Sequence, residues 1–504
     1  MHTRIRRLST RATYLVVCVV VVLAVLARLP FLRNSIYPDE GGMLVVAREW
    51  HTGGPYLYGD LFLARPPLIL AFFRLAGELD GLMAVRIMGL VLVAIIVASA
   101  AWAGSSLAGR RGAVTAALVS AAYMTNPMLG SREVDAETVG VPFGMAATAC
   151  FLAAYRRPRG TAGRAWLLVA GGTLAACALL AKQNLADSLA FGVVLVVGAA
   201  LVERGERRSG VRDVGWLALG IAVPVVITVI WAETASAGVH ELVYELFGFR
   251  AEGGQTLLAQ PTDSQNARLH NLIDCTFRSG LIPVAVASLW LLRRRWWRDP
   301  VTLGLLAMTL TAVVGVAGGG QYWIHYALGL VPVTAVLAAY AVGKVPAPRL
   351  VGALVAASVV ITGYHVHQAI SERKTSDETW VGGTTTWLDQ MKRPGDSMVV
   401  LYGQAGLYEN AGIRPAYPYL WTLPMRVLDP DLDDLRALLS GPDAPTFVLA
   451  PLSLDSWDID TGDRLQTALI DHYHWVATVC GTPVFMRNGL DRPVAPSPQT
   501  CLKT

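Results

Sequence analysis

The chain predicts a polytopic α-helical membrane protein that ends in a small α/β domain. Three observations carry that expectation. Apolar residues make up 54% of the 504, only 16% are charged, and mean hydropathy is +0.45, whereas soluble proteins carry roughly 25% charged residues. About eleven apolar runs follow one another with short polar breaks. Basic residues crowd into every second break, the bias that marks cytoplasmic loops.

The first run, 14–32, follows Arg4, Arg6, Arg7 and Arg11. A cleaved signal peptide begins the same way. This run is longer than a signal core, lacks a clear small-x-small site and precedes many more spans, so it reads as an uncleaved first helix. Runs long enough to cross roughly 30 Å of hydrocarbon then occupy 82–107, 112–130, 138–155, 165–181, 185–202, 214–234, 279–293, 300–318, 324–342 and 349–367. The apolar stretch 68–79 is short and reads as an interfacial or re-entrant piece. Only Lys182-Gln183-Asn184 separates two runs, which demands a tight turn.

The basic breaks hold the N-terminal arginines, Arg110-Arg111, Arg156 to Arg164, Arg204 to Arg212, Arg293 to Arg298 and Lys344 to Arg349. Placing these in the cytoplasm puts the N-terminus inside a cell (plasma) membrane. An odd number of spans then leaves the C-terminal domain extracytoplasmic. The outer face receives 33–81, 131–137, 182–184, 235–278, 319–323 and 368–504. Residues 1–370 carry net +11 and 371–504 net −6. Topology accounts for the basic excess, so no nucleic-acid partner is inferred.

Two domains are expected, 1–370 in the membrane and 371–504 outside it. The tail alternates short apolar runs, Met398 to Tyr402 and Thr446 to Ala450, with turn signals such as Arg393-Pro394-Gly395-Asp396. Helices are expected at 380–392, 431–440 and 462–473, and strands alternating with helices give an α/β domain. Cys480 and Cys501 both lie outside and are candidates for a disulfide in an oxidising compartment. No cysteine–histidine cluster has zinc-site spacing.

The chemistry-bearing residues sit on the outer face. Tyr37-Pro38-Asp39-Glu40-Gly41 places two carboxylates at the mouth of a membrane helix, where ionisable groups mark function. One can serve as a general base. The plainer reading, a cap for a helix starting at Gly41, needs one carboxylate rather than two. Arg65-Pro66-Pro67-Leu68 resembles a loop-to-helix junction, but a bare junction has no use for an arginine, which can hold a phosphate. Arg132-Glu133-Val134-Asp135-Ala136-Glu137-Thr138 opens the fourth run. Asp135 or Thr138 fits an N-cap, and the same helix start attracts phosphate. Lys182 reads equally as a snorkelling lysine or a donor-site cation. In Gly318-Gly319-Gly320-Gln321-Tyr322-Trp323-Ile324-His325-Tyr326 the aromatics suit interfacial anchoring, and the glycines permit close backbone approach. His325 alone reads as a core histidine, and the pairs His365/His367 and His472/His474 read as structural. The loop 235–278, with Glu241, Glu245, Arg250, Glu252 and Arg268, has the length of a lid or binding loop. Its start, 239–249, is amphipathic enough to lie on the membrane surface.

These motifs together resemble the GT-C superfamily of polytopic glycosyltransferases, in particular the branch of protein O-mannosyltransferases and aminoarabinose transferases (family 39-type). The resemblance covers about residues 10–370. It implies Asp39 as the catalytic acidic position, with Glu40 beside it and Asp135 as a second acidic site residue. It implies Arg65 at the lipid phosphate, where lysine is common in relatives, with Lys182 or Arg132 assisting. Glu137, Gln183, Tyr322 and His325 become the expected substrate-binding side chains. The implied activity is an inverting transfer of mannose or another hexose or pentose. The sugar moves from a polyprenyl-phosphate donor to a cell-envelope acceptor (glycolipid, polysaccharide or protein) at the outer face of the lipid bilayer. No cofactor and no metal are expected, although metal-dependent relatives leave a divalent ion open. The competing class is a polyprenyl-lipid flippase or transporter. Transporters tend to place ionisable groups near the midplane and to show repeated halves; here the charges crowd one face and no repeat is visible.

Overall fold

The structure, a computed structural model, describes residues 10–202, 207–293, 299–344, 348–376, 380–456, 459–460 and 462–498. It is a multi-pass helical membrane protein with a small mixed sheet near the C-terminal end. Each predicted apolar run falls in a helical segment. Among the described residues eight helices are long and apolar enough to cross a membrane, or nine if the bent pair Asp263–Arg278 and Leu281–Leu292 counts as one. Two features separate that count from the eleven expected. The 43-residue helix Leu82–Met124 is broken at Ala108 and Gly109, the latter at φ 58°, so it supplies two consecutive helices. They pack so closely that a Cβ on Gly104 would lie 2.2 Å from the Gly112 carbonyl oxygen. Asp187–Val202 is a shorter apolar helix of 16 residues.

Burial sorts the helices. Ala136–Tyr155 and the segment Ile324–Lys344 are the most enclosed. Other helices turn apolar side chains outward, such as Ile227 and Val360, 63% and 72% exposed. Such faces are stable only against lipid.

The first outer loop is more helical than its sequence suggests. A helix runs Pro38–Arg48, starting at the proline rather than at Gly41, so Asp39 and Glu40 occupy its first turn. Proline fits there because its missing N–H would have no helical partner. Pro67–Leu79 is a full helix that buries Ile69, Leu70, Phe73 and Ala76. The loop 235–278 folds into Val239–Val243, a π-turn Tyr244–Gly248, Phe249–Ala259 and Asp263–Arg278.

The C-terminal sheet contains β1 Ser397–Val400, β2 Arg414–Pro415, β3 Phe447–Leu449, β4 Tyr473–Val479 and β5 Thr482–Arg487. Their order is β2-β1-β3-β5-β4; β1 runs parallel to β2 and β3, and β5 antiparallel to β3 and β4. Helices Trp380–Met391, Asp433–Ser440 and Arg464–His472 lie where the sequence places them. The β4–β5 hairpin was not anticipated. Its signal is the pair Cys480-Gly481, both at positive φ (51° and 83°), as a two-residue hairpin turn requires. Cys480 is disulfide-bonded; its expected partner, Cys501, lies outside the described residues.

This sheet region sits directly on helix Pro38–Arg48. A Cβ on Gly41 would lie 2.5 Å from Gly406 Cα, and one on Gly42 would lie 2.4 Å from the Trp421 ring. The glycine pair after the two carboxylates is therefore a docking surface: a side chain at Gly41 would press on the Gly406 backbone and one at Gly42 on the Trp421 ring.

Candidate active site

The chemistry gathers around a cavity of about 430 Å³ where the segments 33–81 and 235–278 meet the sheet region. Asp39 enters it from the first turn of Pro38–Arg48. Its Oδ1 accepts a hydrogen bond from Trp421 Nε1, 2.9 Å away and 382 residues distant in sequence. Arg65 lines the cavity from the other end of the first outer loop. Tyr58 donates its hydroxyl to the Arg65 carbonyl at 2.5 Å, and Arg250 Nη2 donates to the Ala64 carbonyl at 2.8 Å. The backbone on either side of the Arg65 side chain is thus pinned.

Arg250 also lines the cavity. Burial, followed by the nearby Arg65 cation, brings its pKa down to about 10, so it remains charged at neutral pH. Its Nε has no hydrogen-bond partner among the described residues. Arg268, stacked on Trp323 at 4.6 Å, and Arg426 from the sheet region bring the arginines that line the cavity to four. The carboxylates that line it are Asp39 and Glu133.

A second group lies at the floor. His325 Nδ1 is 3.4 Å from Glu133 Oε1 and 3.8 Å from Asp135 Oδ2. Asp135 is the N-cap of Ala136–Tyr155, its Oδ1 accepting from Thr138 N–H at 2.7 Å. Burial pushes its carboxyl up to about 7, against the pull of His325, and its Oδ2 has no hydrogen-bond partner among the described residues. One ligand atom from each of Glu133, Asp135 and His325 lies within 4.8 Å of the others. An orphaned carboxylate oxygen beside a histidine and a second carboxylate fits a divalent cation.

Several expected site residues are elsewhere. Glu40 is fully buried and does not line the cavity. It accepts from Arg86 Nη2 at 2.7 Å, Arg86 Nε at 3.3 Å, Val134 N–H at 2.9 Å and Tyr37 N–H at 3.3 Å. With both oxygens so engaged it is a brace and has no free oxygen for substrate. Lys182 is buried, ion-paired with Glu137 and seated 3.9 Å from the centre of the Tyr326 ring, which itself lines the cavity. Neither Lys182 nor Glu137 lines the cavity. Gln183 donates to the Leu246 carbonyl at 3.2 Å, tying the fifth span's end to the outer loop. Tyr322, at φ 54°, packs against the helical core; Tyr326 takes the place expected of it. Arg132 does not line the cavity. Asp39, Arg65 and His325 do, with Asp135 just beneath.

Residues without an assigned role in the sequence reading also stand on the wall: Arg250, Arg268, Arg426, Tyr326, Glu133 and Trp421. The first two lay in a loop whose length flagged it. Trp421 and Arg426 gave no local signal.

The Arg65 loop is also held at its far end. Glu245, in the π-turn, is fully buried and accepts from Leu57 N–H at 2.9 Å. Burial raises its carboxyl to about 9, so it keeps its proton at neutral pH. A folded-state pKa above the ordinary 4.5 means that its contribution to stability is complete below that value. It is lost as pH rises through about 9. Glu245→Gln, a neutral near-isostere that ionises in neither state, is therefore expected to be at least as stable as wild type at pH 7 and to lack the decline between about pH 4.5 and 9. An unchanged decline in the glutamine variant assigns it to another group.

A membrane helix bundle with a charged cavity roofed by a small sheet defines the class: this is the GT-C fold. Solved structures show the match. ArnT from Cupriavidus metallidurans bound to undecaprenyl phosphate is similar over 96% of this chain and 100% of its own, with TM-score 0.65 and 16% identity. The Archaeoglobus fulgidus oligosaccharyltransferase in complex with Zn and sulfate covers 94% of this chain and is covered over 73%, with TM-score 0.58 and 12% identity. Arabinofuranosyltransferase AftD from Mycobacteria is matched over 96% of this chain at TM-score 0.50 and 16% identity, but this chain spans only 40% of it. No protein-family model and no curated protein matches the sequence.

Proposed function

We propose that the protein is an inverting glycosyltransferase that moves a sugar from a polyprenyl-phosphate donor to a cell-envelope acceptor at the outer face of the plasma membrane. The observation that carries this reading is the placement of Asp39 and four arginines in the lining of one cavity. The arginines suit a phosphate, through charge-assisted forked hydrogen bonds. The carboxylate suits a nucleophile's proton. ArnT, of the same fold, is described bound to undecaprenyl phosphate, which supports a lipid-phosphate donor here. The arginine bias of alternate loops supports a cytoplasmic N-terminus and an extracytoplasmic sheet region.

The reaction is a single displacement. Asp39 takes the proton of the acceptor hydroxyl through the oxygen that Trp421 leaves open. The acceptor oxygen bonds to the anomeric carbon as the bond from that carbon to the phosphate oxygen breaks. Charge at the carbon passes through an oxocarbenium-like state. The leaving phosphate keeps the electron pair and is stabilised by Arg65 and Arg250. Glu40 holds the helix start that presents Asp39. A divalent cation, if bound, would be held by Glu133, Asp135 and His325 and would supply positive charge to stabilise anionic groups there.

The test is transfer of labelled sugar from a panel of polyprenyl-phosphate donors to cell-envelope extract, with the protein in reconstituted membranes. Transfer supports the enzyme; label that crosses the bilayer without transfer favours a flippase. The cation site is tested without turnover. The full-length protein is expected to bind Mn²⁺, read by electron paramagnetic resonance, and Asp135→Ala or His325→Ala to weaken it by at least about ten-fold. Equal binding by wild type and both variants places the ion elsewhere.

A further inference from the structure

We propose that Trp421, supplied by the C-terminal sheet region, is a positioning residue for Asp39: it fixes which carboxylate oxygen is open to the acceptor. The inference rests on the reading of Asp39 as the base and adds a partner on which that base depends.

The geometry has three parts. First, Trp421 Nε1 donates to Asp39 Oδ1 at 2.9 Å. An indole N–H is a donor only, so this bond can form with a carboxylate oxygen and fixes the carboxylate's rotation about its own axis. One oxygen is engaged and the other is left for a hydroxyl. Second, the indole cannot drift, because its ring edge sits against Gly42, where a single methyl would collide at 2.4 Å. The residue that follows, Thr422, donates its hydroxyl to the Tyr402 carbonyl at 3.1 Å, so the turn that carries the indole is itself tied down. Third, that turn and the segment after β1 both line the cavity that Asp39 enters, through Trp421 and Thr422 and through Gly403 and Gln404. The sheet region therefore contributes to the site directly. An acceptor approaches the open oxygen of Asp39 past residues that lie more than 360 positions further along the chain.

A bond to a charged carboxylate that also fixes its orientation should act on the chemical step and leave donor capture alone. Trp421→Phe keeps the ring and deletes the N–H. It is expected to lower kcat by about ten-fold to a hundred-fold while KM for the polyprenyl-phosphate donor stays within about two-fold. The same change in an Asp39→Ala background is expected to cost nothing further, since no carboxylate remains to orient. Gly42→Ala is the independent variant: its methyl displaces the indole while Asp39 and Trp421 both remain, and the same kcat-only loss is expected. A folded Trp421→Phe or Gly42→Ala protein with kcat within about two-fold of wild type overturns the inference, as does a Trp421→Phe loss of equal size in both backgrounds, which would mark a purely structural tryptophan. Wild-type turnover by Asp39→Ala is a different result: it removes the base assignment itself.

Discussion

Asp39→Asn is expected to lower sugar transfer by about 100-fold to 10,000-fold, the usual contribution of a positioned general base. The substitution isolates the proton-accepting role. Asparagine has the same shape, and its carbonyl oxygen can still accept the Trp421 N–H that now reaches Oδ1. Asp39 is only partly buried and belongs to none of the buried ion pairs that hold the outer loop, so the fold is expected to survive. What is lost is the ability to take a proton. Binding of polyprenyl phosphate, which the proposed mechanism assigns to Arg65 and Arg250, should remain within about two-fold. Turnover by single-exposure assay and binding to the full-length protein separate the two. Near-normal turnover by a folded Asp39→Asn protein would sink the base assignment and leave the cavity as a binding site whose base lies elsewhere.

How much of this was legible in the sequence depends on how far apart the cooperating residues lie. The helices were readable because a membrane span is a local property of about twenty residues. The carboxylates and Arg65 were readable because an ionisable group beside lipid is conspicuous wherever it occurs. Strands β1 and β3 were readable from apolar runs between turn signals, while β4 was obscured by His474, Trp475 and a register irregularity between Trp475 and Ala477. Trp421 was not readable: its reason for existing is a contact across 382 positions, and no periodicity in the tail points back to the first outer loop. Lys182 and Glu137 show the converse limit. Each is conspicuous as a charge near the membrane, and their pairing with each other cannot be read from the sequence. A buried charge that finds a partner is silent in the sequence; only the pairing distinguishes it from one that waits for substrate.

Glu40 makes the same point with a measurable consequence. Glu40→Gln is expected to destabilise the folded protein by about 3–5 kcal/mol, the usual cost of breaking a buried ion pair from one side. Arg86, only 3% exposed, donates to both Glu40 oxygens and also to the carbonyls of Phe31, Leu32, Asn34 and Ser35. It therefore ties the end of the first helix, the start of the outer loop and the second span into one knot. Glutamine preserves the shape and can still accept from Val134 or Tyr37. It leaves the Arg86 guanidinium buried without a counter-charge, and the four backbone carbonyls do not replace one carboxylate in a medium of low dielectric. The loss should appear as a lower midpoint of thermal unfolding in detergent. Kinetics should then divide the two neighbouring carboxylates. Below its unfolding range the Glu40→Gln protein is expected to retain far more turnover than Asp39→Asn, because Asp39 still enters the cavity from the same helix turn. A Glu40→Gln protein as stable as wild type but without turnover would reverse the assignment and make Glu40 the chemical residue of the pair.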